Sequence, residues 1–276
     1  MLKNYLSIKE KLKGGQKRTV AIATMPGDAE VEEAARLIQE ENFAEVIFIE
    51  EADGAKAALQ AAKLVRDGEA DVLMKGLVNT SDFLRAVLDQ ENGIRGDGFL
   101  SHFAAFETPG QDRLIILTDG GMNLYPTLEE KVKILANAVE ALHKLGVECP
   151  KVAALCANEV INPKLISSVD AAALVKMNAA GEIPGCIIEG PIALDVALSA
   201  EAARHKNIES RIAGETDLYL VPNIDAGNIM GKILICCAGA KMAGVVLGAK
   251  APVVLVSRSD NAESKLNSLA FACAMI

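Results

Sequence analysis

Aromatic side chains are scarce in this chain, which has no tryptophan and only 4% aromatic residues among its 276 residues. The interior must therefore be built from Ala, Val, Leu and Ile, a mixture typical of parallel sheets covered by helices. A chain of this length buries a large core, and it fits one large α/β unit or two medium ones.

The cysteines lack the CxxC spacing and the neighbouring histidines that would indicate a metal site. There are six of them: Cys149, Cys156, Cys186, Cys236, Cys237 and Cys273. We expect them to be small, buried, apolar residues of a reduced, cytoplasmic protein.

Positive charge is also in short supply, because the net charge is −9 at pH 7. This balance argues against nucleic acid as the main partner, since phosphate backbones favour clustered Lys and Arg.

The N-terminal segment lacks the apolar stretch that a signal peptide requires. The apolar stretch 233–256 is interrupted by Lys241, Lys250 and Pro252, so we predict a helix end and two short strands there and no membrane partner.

Short apolar runs alternate with longer amphipathic segments along the chain. The runs 18–24, 44–50, 71–76, 99–107 and 113–119 predict strands, and 28–42, 54–66 and 80–91 predict helices. A second series follows, with helices over 127–145, 163–180 and 194–205 and strands over 151–157, 185–189 and 217–221. Such alternation predicts an α/β fold with mainly parallel sheets. Thr127 followed by Glu130 has the spacing of a capping box.

The two series predict two α/β domains. We expect a discontinuous first domain of residues 1–122 and 238–276 and a second domain of residues 123–237. In this interpretation the closing strand and helix return to the first domain.

Ordered motifs resemble the phosphate acetyltransferase and phosphate butyryltransferase family over most of the chain, from about Val20 to the C-terminus. The motifs are KGLVNT (75–80), TDGGMNLYPTLEEK (118–131), EGPIALDVALS (189–199), VPNIDAGN (221–228) and PVVLVSR (252–258). The compact length and the segment SRSDNAESK are more similar to the butyryltransferase branch.

The resemblance implies a fold, a reaction and an assembly. It implies two lobes with the topology of isocitrate and isopropylmalate dehydrogenases and an active site in the cleft between them. The implied substrates are acyl-CoA and inorganic phosphate, with no metal and no cofactor besides CoA as substrate. A homodimer or a higher homo-oligomer is expected. No histidine has a Ser, Cys or carboxylate at a sequence spacing that suggests a catalytic triad. This favours direct transfer in a ternary complex over a covalent acyl-enzyme.

Ser257 and Arg258 end an apolar run just where a helix is predicted to begin. Such a position binds anions, because free backbone N–H groups and the helix dipole point to it. The alternative is an ordinary helix-start serine beside a solvated arginine. The resemblance implies that Arg258 contacts the phosphoryl group and that Ser257 hydrogen-bonds near the thioester or thiol.

Two further clusters follow predicted strands. Asn223, Asp225 and Asn228 are candidates to position the acyl carbonyl or the pantetheine amides, although Asp225 is also a plausible helix N-cap. Lys75, Thr80 and Arg85 are candidate substrate ligands. Their alternatives are an N-cap for Thr80 and a solvated helix arginine for Arg85.

The general base is the point at which this chain departs from the acetyltransferase branch. That branch has an aspartate where alignment on Ser257 and Arg258 places Ser264. The neighbouring carboxylates are Asp260 and Glu263, and we expect Glu263 to assist thiol deprotonation while Asp260 organises the loop or caps the helix.

Other classes of function remain open at this stage. An NAD-dependent hydroxyacid dehydrogenase would share the topology, but the chain has no GxGxxG after a strand. A non-catalytic acyl-CoA binding protein would bind the same ligand without turnover. Acetyl transfer to phosphate is the alternative within the family.

Overall fold

The computed structural model describes residues 2–96, 99–255 and 261–276. Its strands are β1 Arg18–Thr24, β2 Ala44–Glu50, β3 Val72–Lys75, β4 Ser101–Glu107, β5 Ile115–Thr118, β6 Lys151–Leu155, β7 Ile187–Ile192, β8 Leu218–Leu220, β9 Lys241–Leu247 and β10 Val253–Val254. Its helices are α1 Tyr5–Lys13, α2 Ala29–Glu41, α3 Gly54–Arg66, α4 Thr80–Val87, α5 Leu128–Lys144, α6 Ile166–Ala179, α7 Leu194–Leu198, α8 Ala200–His205, α9 Ile224–Cys236 and α10 Ala262–Cys273.

The chain divides into two compact units. The first unit comprises Lys3–Leu100 and Lys241–Ile276, and the second unit comprises Ser101–Ala240 together with Leu2. The sequence predicts the first boundary after residue 122, whereas the division lies after Leu100. The difference arises because β4 pairs with β5, and β5 pairs with β8 in the second unit. Apolar periodicity predicts strands but does not identify their neighbours.

Each unit contains a mixed, mostly parallel sheet covered by helices. The strand order is β2-β1-β3-β10-β9 in the first unit and β4-β5-β8-β6-β7 in the second. The β10–β9 and β4–β5 pairs are antiparallel, and the other described pairs within the units are parallel. The predicted α/β fold is confirmed, while the specific dehydrogenase-type topology stays a prediction.

Small side chains build the core, as the composition predicts. On α3, Ala57, Ala58, Ala61 and Ala62 have no exposed surface, and this helix packs against β1 and α4. Because the alanine side chain is small, the backbone of α3 can lie close to those of its neighbours. Burial of apolar surface contributes about 25 cal/mol per Å² to stability. Most of the core is therefore built from small and aliphatic side chains, with a few buried rings such as Phe83 and Phe103.

The capping box of α5 is confirmed. The Thr127 hydroxyl accepts a hydrogen bond from the Glu130 backbone N–H, and the Glu130 carboxylate accepts one from the Thr127 N–H.

One predicted helix is wrong in detail, because 194–205 is broken at Ser199 into α7 and α8. The extended backbone of Ser199 ends α7, and its hydroxyl caps α8.

The cysteines are more exposed than the sequence predicts. All six are free, but only Cys186 and Cys273 are buried, and Cys149, Cys236 and Cys237 are exposed. Burial raises the pKa of the Cys273 thiol to about 12 and that of Cys186 to about 11. Composition gives no positional information, which is why the expectation of uniform burial is wrong.

Candidate functional site

The predicted Ser–Arg site lies outside the described residues, which leave out 256–260 and with them Ser257, Arg258 and Asp260. The elements on either side are a strand and a helix, as the sequence predicts. Asn261 is the N-cap of α10, since its side chain accepts a hydrogen bond from the Ser264 backbone N–H at 2.9 Å. Asp260, the cap that the sequence offers as an alternative, lies outside the described residues.

Glu263 lies in the first turn of α10, and its carboxylate is about half exposed. It pairs with the Lys241 ammonium at 2.7 Å, at the start of β9. The sequence analysis did not identify Lys241, which is separated from Glu263 by a strand and a loop. The candidate base thus lies in an exposed ion pair that joins α10 to β9.

Polar groups of the first unit meet where β1 and β3 end. The Thr24 hydroxyl donates to the Asp28 carboxylate at 2.7 Å and accepts from the Leu77 backbone N–H at 3.2 Å. Asp28 also caps α2 by accepting from the Val31 N–H. Both Thr24 and Asp28 are buried and were missed by sequence reasoning. A strand-end Thr followed by an Asp before a helix was the available signal.

Lys75 ends β3 and is only 3% exposed. Its ammonium donates to the backbone carbonyl oxygens of Gly76 at 3.1 Å and Val78 at 3.3 Å. These bonds hold the loop that leads into α4. The structure thus gives Lys75 a loop-organising role.

Gly76 is required at this position because there is no room for a side chain. A Cβ there would lie 2.6 Å from the Thr24 hydroxyl oxygen and 2.7 Å from an Asp28 carboxylate oxygen. Both approaches are far shorter than van der Waals contact. The Lys75–Gly76 pair of the KGLVNT motif therefore has a local structural cause.

Thr80 and Arg85 lie on α4, and both are exposed. The N-cap of this helix is Asn79, whose side chain accepts from the Ser81 N–H, so the alternative that Thr80 caps it is wrong. Arg85 forms an ion pair with Asp82 at 2.8 Å, one helical turn earlier. Exposed pairs of this kind are weak, which leaves the guanidinium able to exchange partners.

In the second unit, Asp119 organises the loop that follows β5. Its carboxylate is buried and accepts hydrogen bonds from the backbone N–H groups of Gly121, Met122 and Asn123 and from the Asn123 side chain. Sequence reasoning quoted this aspartate within a motif but gave it no role. Its type and its place at a strand end were the signal.

The Asn223, Asp225 and Asn228 cluster lies around the start of α9. Asn223 is the N-cap and accepts from the Ala226 N–H at 3.0 Å, so the alternative that Asp225 caps the helix is wrong. Asp225 accepts a hydrogen bond from the Tyr125 hydroxyl at 2.8 Å. This hydrogen bond raises the pKa of the Tyr125 phenol. The sequence analysis missed Tyr125.

Asn228 and Gly227 face the loop after β5. The Asn228 amide donates to the Gly120 carbonyl oxygen at 3.4 Å. A Cβ on Gly227 would lie 2.5 Å from the α-carbon of Gly120, so the two backbones approach each other at a pair of glycines. This cluster and the Asp119 loop therefore form one arrangement.

Within the described ranges, no group of three or more His, Cys, Asp or Glu side chains is arranged to hold a metal ion. Likewise, none of the described helices has the length and hydropathy to cross a membrane.

Comparison with known proteins gives a consistent result. The profile of the family described as phosphate acetyl/butaryl transferase matches residues 4–273. The phosphate butyryltransferase of Clostridium acetobutylicum is 47% identical over 295 aligned positions, which cover 99% of this chain and 98% of the relative. The phosphate acetyltransferase of Thermotoga maritima is 43% identical over 79% of this chain and 74% of the relative.

A solved structure agrees with these relatives. A branched-chain phosphotransacylase from Enterococcus faecalis V583 superposes with a TM-score of 0.85 at 35% identity. The match covers 94% of this chain and 98% of that one. Similarity therefore extends over nearly the whole chain.

Proposed function

Because the chain belongs to the phosphate acetyl/butaryl transferase family, we propose that it is a phosphate butyryltransferase. It interconverts butanoyl-CoA and inorganic phosphate with butanoyl phosphate and CoA. The observation that carries this proposal is the 47% identity to a phosphate butyryltransferase over nearly the full length of both chains. Acyl-CoA and phosphate are its substrates, and CoA takes part as a substrate.

The transfer is direct in a ternary complex. A phosphate oxygen attacks the thioester carbonyl carbon, a carbon–oxygen bond forms, the carbon–sulfur bond breaks, and the electron pair leaves with the CoA sulfur. Binding both reactants side by side makes the step effectively unimolecular, which lowers its entropic barrier. No covalent acyl-enzyme is required.

The proposed roles follow the family resemblance. Arg258 binds the phosphoryl oxygens with a planar, permanently charged fork, and Ser257 hydrogen-bonds near the sulfur. Glu263 accepts the thiol proton in the direction that consumes acyl phosphate, and Asp260 organises the loop.

The remaining candidates bind or position substrate. Thr80 at the start of α4 and the exposed Arg85 in its last turn bind the substrate, and Lys75 holds the loop that leads into this helix. Asn228 and Asp225 flank the loop after β5, while Asn223 orders the start of α9. These positions lie near the carboxyl ends of strands within each unit, which is the ligand-binding edge of α/β sheets.

A homodimer in the cytoplasm is part of the proposal. Exposed apolar side chains recur on α6 and α9 of the second unit, namely Ile166, Val169, Ile229 and Ile233. Clustered exposed apolar residues indicate a protein contact. The six free thiols suit a reducing compartment.

Acyl preference separates the proposed activity from acetyl transfer. Each methylene contributes only about 1–3 kcal/mol to discrimination, so the preference is finite and measurable. Competition between butanoyl-CoA and acetyl-CoA for limiting enzyme, with phosphate in excess, gives the ratio of their kcat/KM values. We expect butanoyl-CoA to be consumed faster. Faster consumption of acetyl-CoA would assign the chain to the acetyltransferase branch.

A further inference from the structure

A buried hydroxyl lies at the carboxyl edge of the sheet in the first unit. Thr24 is the last residue of β1 and is only 2% exposed. β1 pairs with β3 so that Ala23 lies opposite Lys75, and the Gly76 N–H donates to the Ala23 carbonyl oxygen at 2.7 Å. This register places Thr24 beside the β3–α4 loop, which comprises residues 76–79.

The Thr24 hydroxyl uses both its donor and its acceptor. It donates to the Asp28 carboxylate at 2.7 Å and accepts from the Leu77 backbone N–H at 3.2 Å. The Asp28 carboxylate also accepts from the Val31 N–H in the first turn of α2, so its own position is fixed by a helix. A hydroxyl carries a single proton. Because Asp28 takes that proton, a lone pair of the Thr24 oxygen is left to face the Leu77 N–H.

The middle of the β3–α4 loop is held through its backbone. Leu77 is 40% exposed, so packing of its side chain does little to fix its position, whereas Val78 is fully buried. Gly76 has no side chain, and there is no room for one beside Thr24 and Asp28. The hydrogen bond from Leu77 to Thr24 therefore sets the path of the loop between β3 and Val78.

This loop lies at the edge of the sheet where phosphate is proposed to bind. β10 runs parallel to β3, with Val254 opposite Met74, so both strands end at the same edge. Arg258, which is proposed to bind the phosphoryl oxygens, follows the described residue Leu255 by three positions in the sequence. The β3–α4 loop leads directly to Thr80 at the start of α4. The carboxyl edge of parallel strands is where α/β folds bind ligands.

We infer that Thr24 is a positioning residue for phosphate in the acyl transfer. Its hydroxyl, oriented by Asp28, fixes the Leu77 N–H and with it the β3–α4 loop. The hydroxyl acts through this loop and does not itself contact substrate. Transfer in a ternary complex depends on such alignment, because small displacements of a positioning group are costly. The inference rests on the proposed function, since that function supplies phosphate as the acceptor.

The test separates the hydroxyl from the packing of the side chain. Thr24→Val replaces the hydroxyl with a methyl group of similar size, and Thr24→Ser keeps the hydroxyl. The matched control is Thr216→Val in the second unit, where a fully buried threonine hydroxyl donates to the Ala197 and Ile212 carbonyl oxygens. Hydrogen exchange at the Leu77 amide, followed by NMR in the substrate-free protein, reports on the loop. Steady-state kinetics with one substrate saturating gives the KM for phosphate and the KM for butanoyl-CoA.

We expect Thr24→Val to speed exchange of the Leu77 amide and to raise the KM for phosphate about fivefold, the size expected when one hydrogen bond is lost. The KM for butanoyl-CoA stays near the wild-type value, and Thr24→Ser restores both measurements. Thr216→Val loses an equally buried hydroxyl but leaves the Leu77 exchange and the KM for phosphate unchanged. If Thr24→Val does not fold, Thr24→Ala removes the same hydroxyl without adding a methyl group in its place.

An unchanged KM for phosphate in the variants that lack the Thr24 hydroxyl would overturn the inference, even with faster exchange of the loop. An equal rise in Thr216→Val, or a rise that Thr24→Ser does not prevent, would also overturn it, because the cause would then be a general loss of packing. Equal rises in both KM values would overturn the assignment to phosphate. A wild type without phosphate-dependent turnover of butanoyl-CoA contradicts the proposed function itself, while the Leu77 exchange still tests the hydroxyl, so the two failures are distinguishable.

Discussion

At the scale of single residues, the candidate catalytic and binding side chains are held by specific neighbours. Glu263 pairs with Lys241, Arg85 with Asp82, and Asp225 with the Tyr125 hydroxyl. These partners are partly or fully exposed, so each pair is easily broken when a substrate competes for it. A substitution at one member therefore changes both a charge and a contact, and a control must separate the two effects.

The proposed base can be tested with such a control. Glu263→Gln removes the carboxylate and with it the ion pair, whereas Lys241→Gln removes the ion pair and leaves the carboxylate in place. A free thiol with a pKa near 8.5 is mostly protonated at neutral pH, so a general base accelerates its reaction by about 100-fold or more. We expect Glu263→Gln to lose that factor near pH 7 in the acyl-phosphate-to-CoA direction, with a smaller loss at higher pH. Lys241→Gln should retain most of the rate.

Asp260→Asn completes the comparison across pH. If Asp260→Asn loses the rate and Glu263→Gln keeps it, the base is Asp260. If neither substitution lowers the rate, Ser257 and the local positive field activate the thiol.

The Thr127 cap of α5 was predicted at its exact position, but at other helix starts only the type of the capping residue was predictable. The sequence offered Thr80, Asp225 and Asp260 as possible caps, while Asn79, Asn223 and Asn261 are the caps in the structure. Asn and Asp are nearly equivalent as caps, so propensity does not separate neighbours. Backbone direction at the strand end decides which side chain reaches the free N–H groups.

At the scale of secondary-structure elements, a buried ion pair joins α5 to α6. The Lys131 ammonium lies 2.6 Å from the Asp170 carboxylate. Taking two charges out of water is costly, and removing only one partner leaves the other buried and unpaired. The packing of α5 against α6 therefore depends on the presence of both partners of the ion pair.

Substitution of Lys131 tests how much this ion pair contributes to the free energy of unfolding. We expect Lys131→Met to lower the free energy of unfolding by about 3 kcal/mol, because the Asp170 carboxylate stays buried without this cation. The double variant Lys131→Met/Asp170→Leu should recover most of the loss. Lys144→Met on the same helix breaks an exposed pair with Glu140, and it should change stability by less than about 1 kcal/mol. Urea unfolding of the four proteins gives the comparison. Equal effects at Lys131 and Lys144 would contradict the account.

Element types followed from apolar periodicity, since the strands at 18–24 and 44–50 and helix 54–66 lie where the sequence predicts them. The pairing of the strands could not be predicted from this periodicity. The antiparallel β4–β5 and β10–β9 pairs depend on distant partners rather than on local pattern. The same is true of a pocket of about 860 Å³ in the second unit, because its lining comes from segments as far apart as Tyr125 and Met230.

At the scale of the whole molecule, the family match covers residues 4–273 and includes both units. The chain therefore carries the set of elements that its relatives share. Motif order made this membership predictable from the sequence. Contacts such as Glu263–Lys241 and Tyr125–Asp225 required the fold, because each joins residues from separate elements.

The central claim is that phosphate accepts the acyl group. The direct measurement is release of free CoA thiol from butanoyl-CoA by the wild-type chain, with and without phosphate, while hydroxylamine traps acyl phosphate as the hydroxamate. We predict release only when phosphate is present, with one butanoyl hydroxamate formed for each CoA. Arg258→Lys should lose most of this activity, because a transition-state hydrogen bond from a charged group contributes about 2–4 kcal/mol. Equal thiol release without phosphate would identify a thioesterase and contradict the account.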